Sequence, residues 1–335
     1  MNSIRGLPAR FLVPQDVLTP GAFLQQVTTG PRDEILSLCV DRNPWAPDFS
    51  GLPFSYTVTC CRAGSVTSLR LTNVPMVLTH VLATGPDAFT LVAGVSRGRR
   101  SNGPEPRLNA LVVGEDGVVQ RRFRLHYGVG DVQVDTAGNL WIGYEDEATM
   151  GGSGLAREGL AGLGPELAPR FRFNSLAKQR GLPRILNVYA LNVASARDGY
   201  AYYYGVRLND PWCFTLVQLR DAKLVGARKI TELEGAHAFA VDDDRLLLAG
   251  VYGDRQRLTL LDLATGESET VVAVDPEGRE IRVVEDFLSL MNQRPYWGRG
   301  SILYLLDARG VWEVDLGALP MDRAQQGRCR DHSVL

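Results

Sequence analysis

Apolar and polar positions alternate along this chain in short runs of strand period. In 130–135 (GDVQVD), Val132 and Val134 alternate with Gln133 and Asp135, the period-two signature of a strand with two different faces. Asp135-Thr136-Ala137-Gly138 then supplies a turn. The Asp accepts backbone N–H groups at the first turn position, and Gly takes the positive φ. Leu140, Trp141, Ile142 and Tyr144 follow as a strongly β-prone run that can be buried on both faces. The segment predicts a hairpin of two inner strands. Its second strand ends directly on Glu145, Asp146 and Glu147, read as an exposed acidic loop.

The plan recurs. VVGEDGVVQRRFRL (112–125), ASARDGYAYYYG (194–205), AVDPEGREIRVV (273–284) and YLLDARGVWEV (304–314) all place an acid or Arg-Asp before Gly between apolar runs. Longer units at 79–98, 130–147, 188–206 and 236–254 share a small-to-apolar strand, a polar turn, and an apolar strand ending in Gly or Tyr. A fifth unit spans 286–316, and a less regular first one runs through 33–71. The spacing is roughly fifty residues, at which internal similarity means propeller blades or arrays. The expected fold class is therefore all-β, a β-propeller of about six four-stranded blades, or seven, since the units are degenerate. Residues 1–335 are expected to form one domain, with 1–30 an N-terminal extension or closing strand and 320–335 a flexible tail. No long helical stripe is present. The nearest, 154–171, carries glycines and prolines that oppose helix beyond a turn or two, so less than about a tenth of the chain should be helical.

Composition agrees with that picture. Of 335 residues 45% are hydrophobic and 35 are glycine, enough to bury a large core between many short strands. The 36 basic and 38 acidic residues are interspersed and leave a net charge of −2, which argues against the basic face a nucleic acid needs. The one basic cluster, SRGRRSNGPEPR (96–107), reads as a solvated Gly/Pro loop. The N-terminus lacks a continuous apolar segment, so neither signal peptide nor membrane anchor is expected, and the location expected is cytoplasmic. Cys39, Cys60, Cys61, Cys213 and Cys329 match neither a disulfide framework nor zinc spacing, and they read as reduced, buried thiols. Cys60 and Cys61 lie in a strand, where successive side chains face opposite ways.

In a propeller, the opening of each unit and the end of its second strand return to the same face, around the channel. That geometry brings Asp131 and Gln133 near Glu145 and Asp146, His80 near Arg97, Tyr189 near Tyr203, and His237 near Tyr252. Asn292 and Arg294 join them from the last unit. The candidate ligand-binding residues are thus His80, Asp131, Gln133, Glu145, Asp146, Tyr189, Tyr203, His237, Asn292 and Arg294. Structural roles compete with this reading. The histidines can bond a neighbouring blade's backbone, Asp131 can bond amides between blades, and the tyrosines of 200–204 can be core. As a metal site, Asp131 and Glu145 would offer carboxylate oxygens to Ca²⁺ or another divalent cation, although two carboxylates do not fill a shell of six to eight oxygens.

The runs GVGDVQVDTAGNLWIGYEDEATMG, VYALNVASARDGYAYYYGV and GAHAFAVDDDRLLLAGVYGDRQRL carry a resemblance covering about 76–265. The chain resembles an uncharacterised group of bacterial proteins, common in actinobacteria, of β-propeller type. More distantly, D-x-x-G-N-L-W-I-G is similar to strands of two-component-sensor, NHL and SMP-30/gluconolactonase propellers. The wider motif implies the blade hairpin and not an activity. Catalytic signatures are missing: there is no G-x-S-x-G elbow, no H-E-x-x-H, and no glycine-rich loop opening a helix. Two functions remain. One is a non-enzymatic propeller binding a protein partner or small molecule on its channel face. The other is a metal-dependent hydrolase or lactonase resembling the SMP-30 type, with Asp131, Glu145 and Asn292 as cation ligands.

Overall fold

The computed structural model describes residues 4–19, 23–44, 52–94, 108–207, 210–230, 233–284 and 294–319. Strand accounts for 58% of the described residues and helix for 8%, and the strands form the six blades of a β-propeller. Two short strands come first, β1 (Arg5–Pro8) and β2 (Arg10–Pro14), followed by the single turn α1 (Gln15–Leu18). Blade 1 is β3 (Phe23–Thr29), β4 (Ile35–Val40), β5 (Phe54–Arg62) and β6 (Ser65–Val74). Blade 2 is β7 (His80–Gly85), β8 (Ala88–Val92), β9 (Ala110–Gly114) and β10 (Val119–Phe123).

Blade 3 is β11 (Val129–Val134), β12 (Leu140–Tyr144), β13 (Leu160–Leu163) and β14 (Pro169–Arg172). Blade 4 is β15 (Arg184–Val193), β16 (Gly199–Arg207), β17 (Asp210–Arg220) and β18 (Lys223–Ile230). Blade 5 is β19 (Ala238–Asp242), β20 (Arg245–Val251), β21 (Asp254–Asp262) and β22 (Ser268–Val274). Blade 6 takes only three strands from the end of the chain, β23 (Tyr296–Arg299), β24 (Ile302–Leu306) and β25 (Gly310–Asp315). Its fourth strand is β2, antiparallel to β25 with Arg10 opposite Glu313. β1 adds to the outer edge of blade 5, parallel to β22. Both strands are pinned by side chains. Arg10 pairs with Glu313 at 2.5 Å, Arg5 with Glu269 at 2.8 Å, and the Phe11 ring meets Trp312 edge-on with centroids 4.8 Å apart.

The turns explain why the hairpins form where they do. Asp135, fully buried, accepts the backbone N–H groups of Ala137 and Asn139, the Asn139 side-chain amide and the Trp141 indole. Gly138 supplies the φ of 79° the turn requires. Asp307 repeats the device, accepting Arg309 N, Gly310 N and the Trp312 indole. In both cases the buried carboxylate meets fixed donors, one of them a tryptophan on the following strand.

Apolar side chains fill the space between successive blades, and six such clusters occur among the described residues. The sixth joins Trp297 and Tyr304 of blade 6 to Val27, Ile35 and Cys39 of blade 1, and so closes the ring. Cys60 and Cys61 fall into different clusters, as alternation along β5 requires. Cys39, Cys60, Cys61 and Cys213 are buried free thiols, and burial pushes Cys39 up to about 12. Cys329 and the basic cluster 96–107 lie outside the described residues.

Two features depart from the strand-only pattern. The acids after β12 are not an open loop: Glu145 occupies the N-cap position of α2 (Asp146–Gly151), which leads into a 3₁₀ turn, Gly154–Glu158. α3 (Phe173–Arg180) bridges blades 3 and 4 and seats Phe173 and Ala177 in the core between them. Its eight residues are too few to show a helical stripe. Among the described residues no helix is long and apolar enough to cross a membrane.

Candidate functional site

The six innermost strands, β3, β7, β11, β15, β19 and β23, surround the channel, and their polar side chains point across it. Deep in the channel these groups bond to one another's backbones. Gln133 accepts Val193 N at 2.8 Å and donates to Leu191 O and Gly298 O, so blade 3 reaches blades 4 and 6. The Asn192 amide donates to Phe239 O and Gly300 O and accepts Gly300 N, tying blade 4 to blades 5 and 6. Arg299 donates to Val134 O and Ala194 O. At Gly298 the backbones are so close that a Cβ would lie 1.7 Å from Phe239 O. The deep channel is therefore plugged by satisfied polar groups, as burial demands.

Above the plug a recess of about 30 Å³ remains, room for one or two waters. His80, Asp131, Gln133, His237 and Arg294 all line it, together with Gln26, Tyr296 and Trp297. Arg294 enters from the start of blade 6. Its Nη1 donates to Tyr189 O at 2.5 Å, lies 3.5 Å from His237 O, and is 3.6 Å from Asp131 Oδ2. One side chain thus touches blades 3, 4 and 5 while a quarter of it stays exposed. Asp131 Oδ2 also accepts Leu191 N at 2.8 Å, the bond between blades that an acid at a unit opening makes. Gln26 does the same one junction away, accepting Val81 N.

Burial sets the protonation of these groups. Desolvation raises the Asp131 carboxyl above its usual range, against the pull of Arg294 and of the Leu191 N–H. Burial, and then the nearby Arg294 charge, lowers His80 to about 4 and His237 to about 3. Both imidazoles are neutral near pH 7. His80 Nδ1 lies 2.9 Å from Thr79 Oγ1. His237 stacks on Tyr189 with ring centroids 5.7 Å apart, and the Tyr189 and Tyr252 hydroxyls bond each other. Tyr252 is 56% exposed and forms the rim on that side. Two buried polar atoms on residues of the recess have no partner among the described residues, His237 Nδ1 and Trp297 Nε1.

Five of the ten sequence-derived residues thus converge on the recess, and Tyr189 borders it through its ring and carbonyl. Glu145 lies beside the rim, with its Cγ 2.9 Å from where a Cβ on Gly130 would stand. Asp146 is exposed on the first turn of α2, where its carboxylate accepts Glu147 N. Tyr203 belongs elsewhere: it is fully buried, its hydroxyl bonds Pro183 O, and its ring packs on Phe173 between blades 3 and 4. The reason is strand parity, since Tyr202 and Tyr203 must face opposite sides of β16. Asn292 and Arg97 lie outside the described residues. Sequence reasoning missed Gln26, Asn192, Arg299 and Trp297. Their signal was a polar or indole side chain within the apolar opening strand of each unit.

Asp131 already faces a guanidinium and a backbone N–H, and Ca²⁺ requires six to eight oxygens. Among the described residues no three His, Cys, Asp or Glu side chains are grouped to hold a metal ion.

No protein-family model matches the chain, and no curated protein matches it. Similar solved structures include hydrazine synthase of Kuenenia stuttgartiensis, 10% identical over 90% of this chain and 97% of that one, with a TM-score of 0.46. YCF48 from Cyanidioschyzon merolae is 12% identical over 88% and 96%, with a TM-score of 0.43. Hsv2 of Kluyveromyces lactis is 10% identical over 85% and 70%, with a TM-score of 0.42. At these identities no site residue is carried over from them.

Proposed function

We propose that this chain is a non-enzymatic β-propeller that binds a small ligand, or the protruding group of a protein partner, at its channel mouth. The observation that carries the reading is the surroundings of the Arg294 guanidinium. It stands in a recess lined by two neutral histidines and one carboxylate, with the Tyr189–Tyr252 pair at the rim. Convergent polar groups in a concave site, on rigid inner strands, suit recognition. The metal-dependent hydrolase is the weaker reading, because it needs carboxylates from several blades around one cation and Asp131 instead meets Arg294. Kinship with the actinobacterial propeller group and a cytoplasmic location belong to the same proposal. They are supported by the D-x-x-G-N-L-W turn and by the four buried free thiols.

The test is native mass spectrometry with elemental analysis of the chain purified from its own host, for wild type and Arg294→Gln. A small-molecule or protein adduct on the wild type that the variant lacks supports the reading. A stoichiometric divalent cation retained by both would support the hydrolase instead.

A further inference from the structure

The channel-mouth reading leaves open what chemistry the recess selects, and the donors around it narrow the choice. Arg294 carries five N–H donors in a planar fork. Every contact it makes among the described residues runs through Nη1, to Tyr189 O, His237 O and Asp131. The Nε–Nη2 edge, whose two parallel N–H groups match the two oxygens of a carboxylate, has no partner among them. Because Nη1 is held by two carbonyls from different blades, that free edge is fixed in place before any ligand arrives. Two residues that line the same recess, His237 and Trp297, also carry a buried side-chain nitrogen with no partner among the described residues, Nδ1 and Nε1. The indole N–H only donates, and His237 Nδ1 donates in one of its two neutral tautomers. Native proteins seldom leave such buried atoms unmet. An acceptor-rich group in the recess would meet the free Arg294 edge and His237.

Size and charge exclude the bulkier anions. The recess of about 30 Å³ admits a flat two-oxygen head group but little more. A phosphate dianion would set two charges against a single guanidinium with Asp131 only 3.6 Å from it. A monoanion brings one negative charge fewer to the same Arg294–Asp131 pair. The remainder of such a ligand must lie in the open mouth, where the exposed Tyr252 ring stands edge-on to Tyr189 at 5.9 Å between centroids. That rim suits an apolar or aromatic tail.

We propose that the channel mouth recognises a small organic monocarboxylate, its head group paired with the Nε–Nη2 edge of Arg294 and with His237, and its apolar tail on the Tyr189–Tyr252 rim. This rests on the channel-mouth reading and narrows it to one ligand class.

Isothermal titration calorimetry on the full chain tests it, with benzoate, phenylacetate and isobutyrate as probes, benzamide as the neutral isostere of benzoate, and inorganic phosphate as the competing anion. At least one acid should bind below about 10 mM, and benzamide and phosphate at least about tenfold more weakly than benzoate. Arg294→Lys, which keeps the charge and loses the fork, should weaken the acid about tenfold. His237→Phe, which keeps the stack on Tyr189, should weaken it severalfold. These two substitutions are milder than removing Arg294, and circular dichroism confirms that each variant is folded. Phosphate or benzamide binding as well as benzoate, in an Arg294-dependent way, overturns the carboxylate class and leaves the channel mouth as the site. Acid binding indifferent to both variants overturns the channel mouth as well. No binding by any of the three acids overturns the inference.

Discussion

A single side chain carries one turn in blade 3 and one in blade 6. Asp135 and Asp307 are buried carboxylates that each gather at least three donors, and both capture the indole of a tryptophan on the next strand. Replacing such an acid strands several buried donors at once. Asp135→Ala is therefore expected to cost about 2–4 kcal/mol in urea unfolding. Asp116→Ala, in a turn where the acid is exposed and among the described residues accepts only Val118 N, should stay within about 1 kcal/mol. Equal effects would show that the buried network is not what stabilises the hairpin. At this scale the sequence was partly legible. His80, Asp131, Gln133, His237 and Arg294 could be grouped because the repeat marks every unit opening. Tyr203 was misplaced because three consecutive tyrosines do not reveal which faces inward, and a slip of one residue flips the face. Asn192 and Arg299 were invisible because their backbone partners lie across the channel, Gly300 being 108 residues from Asn192.

Among the elements, the hairpins were the most legible, since turn chemistry and alternation agree at the same positions. The short helices were not, because they are placed by what they cover. α2 is held against blade 4 through Thr149 Oγ1 on Leu186 O, a contact no local pattern announces. The two strands before α1 matter beyond their length. Leu7 is almost fully buried on the edge of blade 5, and β2 covers Trp312 of blade 6. Deleting residues 1–14 should lower stability by at least about 3 kcal/mol, from the exposure of those apolar groups. A synthetic peptide of residues 4–19 added in trans should restore the lost melting temperature. A truncated chain that melts with the full one would mean β1 and β2 are ornaments on a ring already closed by the cluster between blades 6 and 1.

For the whole molecule, the charge state of the mouth couples to folding. His80 and His237 hold pKa values of about 4 and 3 in the native state against an ordinary 6.5. Between pH 6.5 and about 4 the unfolded chain takes up a proton on each and the native chain does not. Stability therefore falls as pH falls through that window, by up to about 1.4 kcal/mol per pH unit per histidine. Asp131, raised by burial, protonates in the native state first and offsets part of the loss at the acid end. Urea midpoints measured across this range should show the slope, and His237→Phe should flatten it. An unchanged slope would remove His237 as a source of acid sensitivity. The repeat period made the toroid legible in outline, because each blade obeys the same pattern. The cross-channel ties were not, because each occurs once and obeys none.

The shared blade also sets a timetable for synthesis. β2 leaves the ribosome long before its partner β25, which lies some three hundred positions later, Arg10 waiting for Glu313. At translation speeds of roughly 5–20 residues per second that wait is tens of seconds. Through it, β2 carries unpaired backbone groups and Phe11 has no tryptophan to meet, the condition in which nascent strands pair wrongly. Pairings this distant in the chain are slow even after release, because loop closure must precede any gain. A nascent chain stalled before residue 310 should therefore depend on a holding chaperone, and the finished one should not.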